Sequence, residues 1–389
     1  MTSVGLVPLG DVLTDQREEV VLHPGETYRT AGIYSFGRGI FERTRILGAD
    51  TSYQSLFRLR ENQFVLSRLN GWEGAVDVVA SDVDGCLVSN EFPSFAIDSD
   101  RADPGYLRWI ARWPRFWEQL IPRGSMVRRK RVQTAQLFEV RIPLPPIDEQ
   151  RRVASRLDRL WASTEEVRRC SAHATDLMSA LGVATAARPD LTEAERLNAE
   201  WRKVTLGTLM EVSSDPITVD PSGSYPNLGI YSFGRGLFVK PDIEGATTSA
   251  RSLNRVHAGQ FVYSRLFAFE GAYASIEPQF EGYFVSTEFP TFDADPAKLD
   301  ARWLASYLRS PDRWSELAAS SKGLGVRRQR VPTESLLAYE VWLPPIEQQL
   351  AMVQTIERIA VSRRARALAD QRIASLLPAT LNATFGDLP

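Results

Sequence analysis

The chain has 389 residues, a formal net charge of −2 at pH 7 and an apolar fraction of 43%. Its length predicts two or more domains, and its composition is that of a soluble globular protein. The chain has no run of roughly 18 apolar residues, the length needed to span a membrane, and no secretory signal opens it. Cys86 and Cys170 are its only thiols, so we expect the protein to lie in a reducing cytoplasm.

The basic residues are unusual in kind. The net charge argues against a uniformly basic nucleic-acid binder, although it hides how the charge is distributed. The chain has five lysines among 46 basic residues, which leaves 41 arginines. A GC-rich genome would explain that bias without any function. Arginine is also the better residue for bidentate contacts to phosphate and guanine, so both explanations stay open.

An octapeptide, Gly-Ile-Tyr-Ser-Phe-Gly-Arg-Gly, occupies residues 32–39 and recurs unchanged at residues 229–236. Its three glycines predict a tight loop in which the backbone turns sharply or approaches another group. The same offset of 197 residues relates other segments, which are Gln63-Phe64-Val65 with Ser67-Arg68, Glu73-Gly74, Val88-Ser89 and Glu91-Phe92-Pro93. The chain is therefore one unit of globule and helix that occurs twice.

Each globule is expected to be mixed but rich in strands. Segments 63–68 and 260–265 alternate apolar and polar residues between turn-forming ones, as strands do. Near the end of each globule, a short helix rich in aromatic residues and leucine is expected at 106–110 and at 303–308. We interpret its aromatic side chains as core, with a stacking platform as the alternative.

Basic residues cluster at the end of each globule, at equivalent positions 199 residues apart. Neutralisation of backbone phosphates by such clusters dominates DNA affinity, so they point to nucleic acid. The alternative is that each cluster is only a solvated basic turn at a domain edge. The presence of a basic cluster at equivalent positions of both copies argues against this alternative. The residues concerned are Arg123, Arg128, Arg129, Lys130 and Arg131 in the first copy and Lys322, Arg327, Arg328 and Arg330 in the second.

Two long helices follow the globules. The first is predicted to begin at Pro145-Pro146-Ile147 and to end at Arg188-Pro189, and the second to begin at Pro344-Pro345-Ile346 and to be closed by Leu377-Pro378. Steps of three and four predict a heptad seam at Val153, Leu157, Leu160, Thr164, Val167, Ser171, Ala174, Met178 and Leu181. The matching seam is Met352, Ile356, Ile359, Arg363, Arg366, Asp370, Ile373 and Leu377. Two matched helices predict an intramolecular coiled coil, and the alternative is that each lies alone on a core.

A connector at residues 188–200 joins the halves. Thr192 is a helix-capping residue and is followed by Glu193 and Glu195, so a short helix is predicted from Thr192 onward. Trp201 then opens the second globule.

Catalytic patterns are scarce. The octapeptide faintly resembles the glycine-rich AdoMet loop of methyltransferases, but no Asn/Asp-Pro-Pro-aromatic motif is present to hold a flipped adenine. Neither a phosphate-binding loop nor a metal-dependent nuclease pattern occurs, and the histidines and cysteines are scattered. We therefore predict no catalytic residue, no metal ligand and no enzymatic activity of the chain on its own.

The order globule, basic turn, Leu-Pro-Pro-Ile-x-Glu-Gln and long helix, repeated once, resembles the specificity subunit of type I restriction-modification systems over essentially the whole chain. The signatures stand at residues 144–150 and 343–349, where Gln348 replaces the expected glutamate of the second copy. The resemblance implies an α+β fold: two similar α/β target recognition globules separated by an antiparallel two-helix coiled coil, related by a pseudo-two-fold repeat. It implies target recognition domains at 1–143 and 189–342, a central helix at 144–188 and a paired C-terminal helix at 343–389.

The same resemblance implies partners. In that family the globules each read half of a bipartite site on double-stranded DNA, and the helices dock two methyltransferase subunits. Those partners methylate adenine at N6 with AdoMet, and restriction subunits, where present, use ATP and magnesium. No cofactor is expected on this chain, no membrane is involved, and the expected role is phage defence.

Residues shared by the two copies are the candidate DNA contacts. They are Tyr34, Ser35, Arg38, Ser67 and Arg68, their counterparts Tyr231, Ser232, Arg235, Ser264 and Arg265, and the basic residues Arg128, Arg129, Lys130, Arg131, Arg327, Arg328 and Arg330. For Arg68 and Arg265, an ion pair with Glu73 or Glu270 is the alternative. Differences at 69–72 against 266–269, and at 77–86 against 274–283, are expected to distinguish what each copy reads.

The shared motifs predict related half-sites, inverted on the duplex because protein symmetry is mirrored in site symmetry. Two other functions stay open. One is an orphan DNA-binding adaptor or scaffold without methylation, and the other is a fused AdoMet-dependent methyltransferase.

Overall fold

The computed structural model describes residues 5–122, 130–319 and 330–386. The chain divides into two compact units, the first formed by Met1–Cys170 with Leu368–Pro389 and the second by Ser171–Ala367. The predicted limits of the target recognition domains and their helices stay a prediction. Within the described ranges, no helix is long and apolar enough to cross a membrane.

Within the described residues, the first unit contains three sheets and three short α-helices. The strands are β1 (Leu6–Pro8), β2 (Leu13–Asp15), β3 (Glu18–Val21), β4 (Thr27–Ile33), β5 (Ile40–Leu47), β6 (Ser55–Arg58), β7 (Phe64–Leu66), β8 (Val76–Val78), β9 (Leu87–Val88), β10 (Ser94–Ile97) and β11 (Arg141–Pro143). Their orders are β1-β11, β2-β10-β7-β8 and β3-β6-β9-β4-β5, antiparallel except where β4 meets β9. The helices are α1 (Pro104–Ala111), α2 (Pro114–Glu118) and α3 (Thr134–Glu139), and the long helix α4 (Ile147–Ala187) follows.

The second unit repeats this topology strand for strand. It contains α5 (Glu193–Asn198), β12 (Arg202–Thr205), β13 (Met210–Ser213), β14 (Asp215–Thr218), β15 (Ser224–Tyr231), β16 (Gly236–Glu244), β17 (Ser252–Arg255), β18 (Phe261–Tyr263), β19 (Tyr273–Ser275), β20 (Phe284–Val285), β21 (Thr291–Ala294), α6 (Ala301–Tyr307), α7 (Pro311–Ala319), α8 (Thr333–Leu337), β22 (Glu340–Leu343) and the long helix α9 (Ile346–Phe385). The sheet orders are β12-β22, β13-β21-β18-β19 and β14-β17-β20-β15-β16. The duplication read from the sequence is thus a duplication of fold.

The main core of each unit lies between its four-stranded sheet and the short aromatic helix. In the first unit Tyr106 and Trp109 of α1 are buried among Phe64 and Phe95 of the sheet. In the second unit Trp303 and Tyr307 of α6 are buried in the same way. The interpretation of these aromatic residues as core is confirmed.

The starts of both long helices are confirmed at Ile147 and Ile346, and α4 ends one residue before Arg188. The glutamine of each repeated signature explains why this start is so specific. Gln150 and Gln349 are fully buried, at 0% exposure. Gln150 donates to the carbonyl oxygens of Arg101 (2.9 Å) and Pro145 (2.8 Å) and accepts from the N–H of Asp103 (2.9 Å). Gln349 makes the same bonds to Lys298 (2.8 Å), Pro344 (2.8 Å) and Asp300 (2.9 Å).

Gln348, the departure from the expected glutamate, has its own role in the second unit. Its amide nitrogen donates to the carbonyl oxygen of Ala199 at 3.2 Å, and its carbonyl accepts from the indole N–H of Trp201 at 3.0 Å. A carboxylate could accept the second bond but not donate the first. The connector that precedes these contacts contains the predicted helix α5. Its start is a capping box, in which the Thr192 side chain accepts from the N–H of Glu195 and the Glu195 carboxylate accepts from the N–H of Thr192.

Each unit contains the start of one long helix and the end of the other. Leu157 of α4 shares a core with Leu381 and Phe385 of α9 in the first unit. Ala186 of α4 shares a core with Val353 of α9 in the second. The two helices therefore run antiparallel, as predicted.

Burial along the helices follows most of the predicted seam. Among the α4 positions Leu157 and Ser171 are buried and Val153, Leu160, Thr164, Ala174 and Met178 are partly buried. Val167 and Leu181 are instead exposed, at 47% and 54%. In α9 the seam positions are partly buried except Arg363, which is exposed.

The prediction that Leu377-Pro378 ends the second helix is wrong. The helix passes through Pro378 and continues to Phe385. A proline inside a helix costs about 3 kcal/mol, because it removes a hydrogen bond and clashes with the preceding turn. Beyond it, Leu381 and Phe385 are each 1% exposed, and burying two such side chains stabilises by roughly 3–6 kcal/mol. The indole N–H of Trp113 also donates to Asn382 at 2.9 Å.

Candidate nucleic-acid interface

The octapeptide forms the turn of a β-hairpin in each unit. In the first unit it joins β4 to β5, and the N–H of Tyr34 donates to the carbonyl of Gly39 at 2.9 Å. Phe36 and Gly37 adopt left-handed backbone angles, with φ of 64° and 63°. The corresponding turn joins β15 to β16, where φ of Phe233 is 63°. The predicted tight loop is confirmed.

The turn is held against a neighbouring loop through its backbone. The N–H of Phe36 donates to the carbonyl of Glu73 at 2.7 Å, and that of Gly37 donates to Gly74 at 3.0 Å. The second unit makes the equivalent bonds at 2.6 Å and 3.0 Å. A Cβ on Gly74 would lie 2.5 Å from the ring of Trp117, so only glycine fits there. This explains why Glu-Gly recurs with the octapeptide.

Three side chains form a stacked surface on the hairpin. In the first unit the ring of Tyr34 stacks on Phe41 with centroids 4.0 Å apart, and the guanidinium of Arg38 lies 4.8 Å from the centre of the Tyr34 ring. The Nε–H of Arg38 also donates to the carbonyl of Ser35 at 3.1 Å. The second unit reproduces the arrangement with Tyr231, Phe238, Arg235 and Ser232, at 4.1 Å, 4.8 Å and 3.0 Å. Two arginines are thus presented identically.

The candidate serines of the turn are engaged within the protein. The hydroxyl of Ser35 donates to the Glu73 carboxylate at 3.4 Å, and that of Ser232 donates to Glu270 at 3.0 Å. These bonds orient the turn and leave the hydroxyl oxygen as an acceptor.

Sequence reasoning missed Phe36 and Phe233. They are 65% and 62% exposed, although they are large apolar residues in a strained left-handed conformation. Strain held at the same position in both repeats points to a role for the exposed ring. An aromatic residue between glycines in both octapeptides was the signal that could have identified them.

Ser67 and Ser264 are buried, at 3% and 1% exposure. The hydroxyl oxygen of Ser67 accepts from the N–H of Asn70 at 3.3 Å, inside the loop that supports the hairpin turn. Burial keeps both hydroxyls away from any ligand on the surface. The prediction that these two serines contact DNA is therefore not supported by their burial.

Arg68 and Arg265 are half-buried. Arg68 donates to the side chain of Gln133 at 3.1 Å. Within the described ranges, neither arginine forms the ion pair with Glu73 or Glu270 that was weighed as an alternative. Their backbones join the strand to two other loops, since the N–H of Arg68 donates to Glu91 and its carbonyl accepts from Val132, both at 2.8 Å.

The basic clusters are described only in part. Arg123, Arg128, Arg129, Lys322, Arg327 and Arg328 lie outside the described residues. Lys130 is exposed. Arg131 forms an ion pair with Glu91 at 3.1 Å, and hydrogen bonds to that carboxylate raise the pKa of Arg131. Arg330 forms the equivalent pair with Glu288 at 3.2 Å. Each pair neutralises a charge that we had assigned to phosphate, so these two arginines are weaker candidates.

The segments that differ between the copies divide into two classes. Leu69 and Trp72, beside the first hairpin turn, are each 38% exposed, and Phe267 beside the second is 46% exposed. The other segment, 77–86, is largely buried, with Ser81 and Asp82 among its exposed residues. In the first unit the loop that supports the hairpin is therefore the better candidate for a difference in recognition. In the second unit, residues 274–283 expose Glu277, Pro278, Gln279 and Glu281 and stay candidates as well.

Solved structures of similar fold cover nearly the whole chain. One is the HsdS subunit from Thermoanaerobacter tengcongensis, with 20% identity, a TM-score of 0.57, and coverage of 99% of this chain and 97% of that one. Another comes from a study of complex assembly and conformational transition of the type I R-M system, with 21% identity, a TM-score of 0.69, and coverage of 98% and 97%. The chain has the specificity-subunit fold. No protein-family model matches the sequence, and neither does any curated protein.

The fold implied by the repeated helix signatures is thereby confirmed. Type I specificity subunits align with both repeats and both long helices, because the matches leave at most 2% of this chain uncovered. Identities of this size establish the fold alone, and the function rests on the surface described above.

Proposed function

We propose that the chain is the DNA-binding specificity subunit of a type I restriction-modification system. It directs adenine-N6 methyltransferase subunits, and restriction subunits where they are present, to a bipartite site. The observation that carries this proposal is the same hairpin surface of tyrosine, phenylalanine and arginine in both repeats of a specificity-subunit fold.

The chemistry of the hairpin surface suits DNA. Stacking on Tyr34 orients the guanidinium of Arg38 and leaves its terminal nitrogens to donate to phosphate or to guanine. The exposed ring of Phe36 supplies an apolar contact of the kind made with a thymine methyl group or a base step. Arg235 and Phe233 do the same for the second half-site.

The repeat supports a site of two inverted halves. Identical hairpin surfaces predict related half-sites, and the antiparallel helices predict their inversion, with unspecified base pairs between them. Trp72 and Phe267, which are exposed beside the two turns and are not equivalent, would make the halves differ.

The long helices supply the surface for the methyltransferase subunits. Several apolar side chains on them are exposed and would pack against those subunits. They are Val167 (47%), Leu177 (56%), Leu181 (54%), Val361 (57%), Leu368 (60%) and Leu376 (47%). AdoMet would be held by the methyltransferase subunits, and ATP with magnesium by the restriction subunits, so this chain contributes recognition and no catalysis.

Single-molecule sequencing of DNA tests the proposal directly. Cells that carry the chain with the methyltransferase encoded beside it are compared with cells that lack the chain. We expect a bipartite N6-methyladenine motif that disappears with the chain. Unchanged methylation would contradict the proposal and would favour an orphan adaptor. Two unrelated half-sites would contradict the inference from the shared hairpin.

A further inference from the structure

A half-buried arginine stands at the same place in both repeats, with different surroundings. In the first unit the guanidinium of Arg112 lies 4.9 Å from the ring of Trp109 and 5.5 Å from that of Trp161. Asp77, which is 5% exposed, supplies the nearby negative charge. Burial lowers the pKa of Arg112, and the charge of Asp77 opposes that shift. The half-buried cation thus has two rings and a carboxylate from its own unit beside it.

The second unit has an arginine at the same position but neither the two tryptophan rings nor the aspartate carboxylate. Arg309 corresponds to Arg112, while Ala274 replaces Asp77 and Ser306 replaces Trp109 at the same offset of 197 residues. Ala360 replaces Trp161 at the helix offset of 199 residues. Two indole rings and a carboxylate are missing where their counterparts fill the first unit.

A cavity of about 950 Å³ occupies this part of the second unit. Its wall includes all four of these positions, Ala274, Ser306, Arg309 and Ala360. The Nε of Arg309, like that of Arg112, is buried without a hydrogen-bond partner. The difference is that, in the part of the chain that the structure describes, neither an ion pair nor a ring contact holds the guanidinium of Arg309. A half-buried cation in this state loses part of its hydration without gaining a partner, so an anionic ligand that paired with it would be stabilised.

The acidic side chains in the wall leave this cation in need of a partner. Arg302 is already paired, at 2.6 Å with Asp300 and at 2.9 Å with Glu357. Burial lowers the pKa of Arg309, the charge of Arg363 lowers it further, and Glu277 raises it. Glu277 accepts a hydrogen bond from Gln279, and no ion pair joins it to Arg309 within the described ranges.

We propose that this cavity binds a small aromatic carboxylate, whose ring takes the place of the missing tryptophans and whose carboxylate pairs with Arg309. The first unit supplies the pattern, since it places rings and a carboxylate around the same arginine from its own chain. The volume falls in the usual range for ligand pockets. The walls come from β16, α6 and α9, so the ligand bridges the hairpin that carries Tyr231 and the long helix. The inference does not depend on DNA binding.

Isothermal titration of the full-length chain with indole-3-acetate tests this proposal. We expect one site per chain, and we expect Arg309→Gln to weaken binding by about tenfold or more, as for the loss of a charge-assisted hydrogen bond. The neutral probe indole-3-acetamide should bind the unaltered chain about tenfold more weakly for the same reason. Arg112→Gln is the matched control, and its affinity should be unchanged because its pocket is filled.

Two further variants keep the proposal falsifiable if Arg309→Gln misfolds. Ala360→Trp restores one ring of the first unit and should abolish binding, and Ala274→Asp restores the carboxylate and should weaken binding by about tenfold. Circular dichroism confirms that each variant is folded. The proposal would be overturned if the folded unaltered chain failed to bind the probe at millimolar concentration. It would also be overturned if Arg309→Gln and Ala360→Trp each bound the probe as tightly as the unaltered chain does.

Discussion

Arg38 and Arg235 are the residues on which the proposed DNA contact depends most. Each is exposed, stacked on a tyrosine and fixed through Nε to a backbone carbonyl, so little side-chain entropy remains to be lost on binding. Such an arginine is well placed for a phosphate or a guanine.

We expect Arg38→Ala with Arg235→Ala to weaken binding of the complex to duplex DNA carrying its site by about tenfold per arginine. If the contacts are to phosphate, the slope of log K against log salt should fall by about one for each arginine lost. Fluorescence anisotropy at several salt concentrations measures both quantities. Arg17→Ala is the control, because Arg17 is an exposed arginine paired with Asp15 at 2.8 Å. An unchanged affinity and slope in the double variant would contradict the assignment.

Gln150 and Gln349 are the residues on which the helix starts depend. Gln150→Ala should lower the free energy of unfolding of the first unit by about 3 kcal/mol, because it leaves buried backbone groups unpaired. Gln349→Ala should do the same for the second unit. Calorimetry measures the loss, and hydrogen exchange locates it. The exposed Gln354→Ala on α9 should have little effect, and a loss of similar size there would contradict the argument.

The last turns of α9 show how packing overrides a local helix breaker. Pro378→Ala should raise the free energy of unfolding of the first unit by about 1–3 kcal/mol, since it restores a helical hydrogen bond and relieves a clash. Urea denaturation measures the gain. Pro104→Ala is the control, because a proline at the first position of α1 breaks no helical bond. Destabilisation by Pro378→Ala would mean that the proline itself contributes to packing.

The five-stranded sheets of the two units differ in one pH-sensitive cluster. His257 lies 2.8 Å from Glu281 and 3.1 Å from Asp215, and its hydrogen bond to Glu281 is the main cause of its raised pKa. A raised pKa in the folded state means that the stabilisation is complete below the unfolded value of about 6.5 and is lost as pH rises through the folded pKa. In the first unit Arg60 occupies the equivalent place and pairs with Glu18 at 2.7 Å.

The second unit should therefore lose stability as pH rises above neutrality, by less than about 1 kcal/mol because the cluster is partly exposed. His257→Arg, which copies the first unit, should abolish this loss. Urea denaturation between pH 5.5 and 9, read by hydrogen exchange in the second unit, measures the effect. The same pH dependence in His257→Arg would assign it to another group.

The duplication makes a prediction about the whole molecule. A chain in which residues 189–342 are replaced by a second copy of residues 1–143 should direct methylation to a bipartite motif with two identical, inverted halves. We expect this outcome because the chimaera carries the same reading surface twice and a site mirrors the symmetry of the protein that reads it. Sequencing of modified DNA measures the motif. An asymmetric motif from a folded chimaera would contradict the inverted arrangement.

Much of the fold could be predicted because its signals are local. The prolines before Ile147 and Ile346, the Thr192 cap and the glycines of the octapeptide specify helix starts and a tight turn through contacts within a few residues. Each of these signals occurs in both copies of the repeat. The two matched helices were the reason for predicting that they pair antiparallel.

The candidate site was predicted less completely, because exposure and pairing depend on contacts that are distant in sequence. Burial of Ser67, pairing of Arg131 with Glu91 and exposure of Phe36 all arise where separate loops meet. Pro378 is tolerated because Phe385 packs against Tyr106 in the first unit. The cavity beside Arg309 exists only because residues from strand, short helix and long helix converge there. Local backbone chemistry therefore determined the elements and their order, and tertiary packing decided which side chains are left free to recognise a ligand.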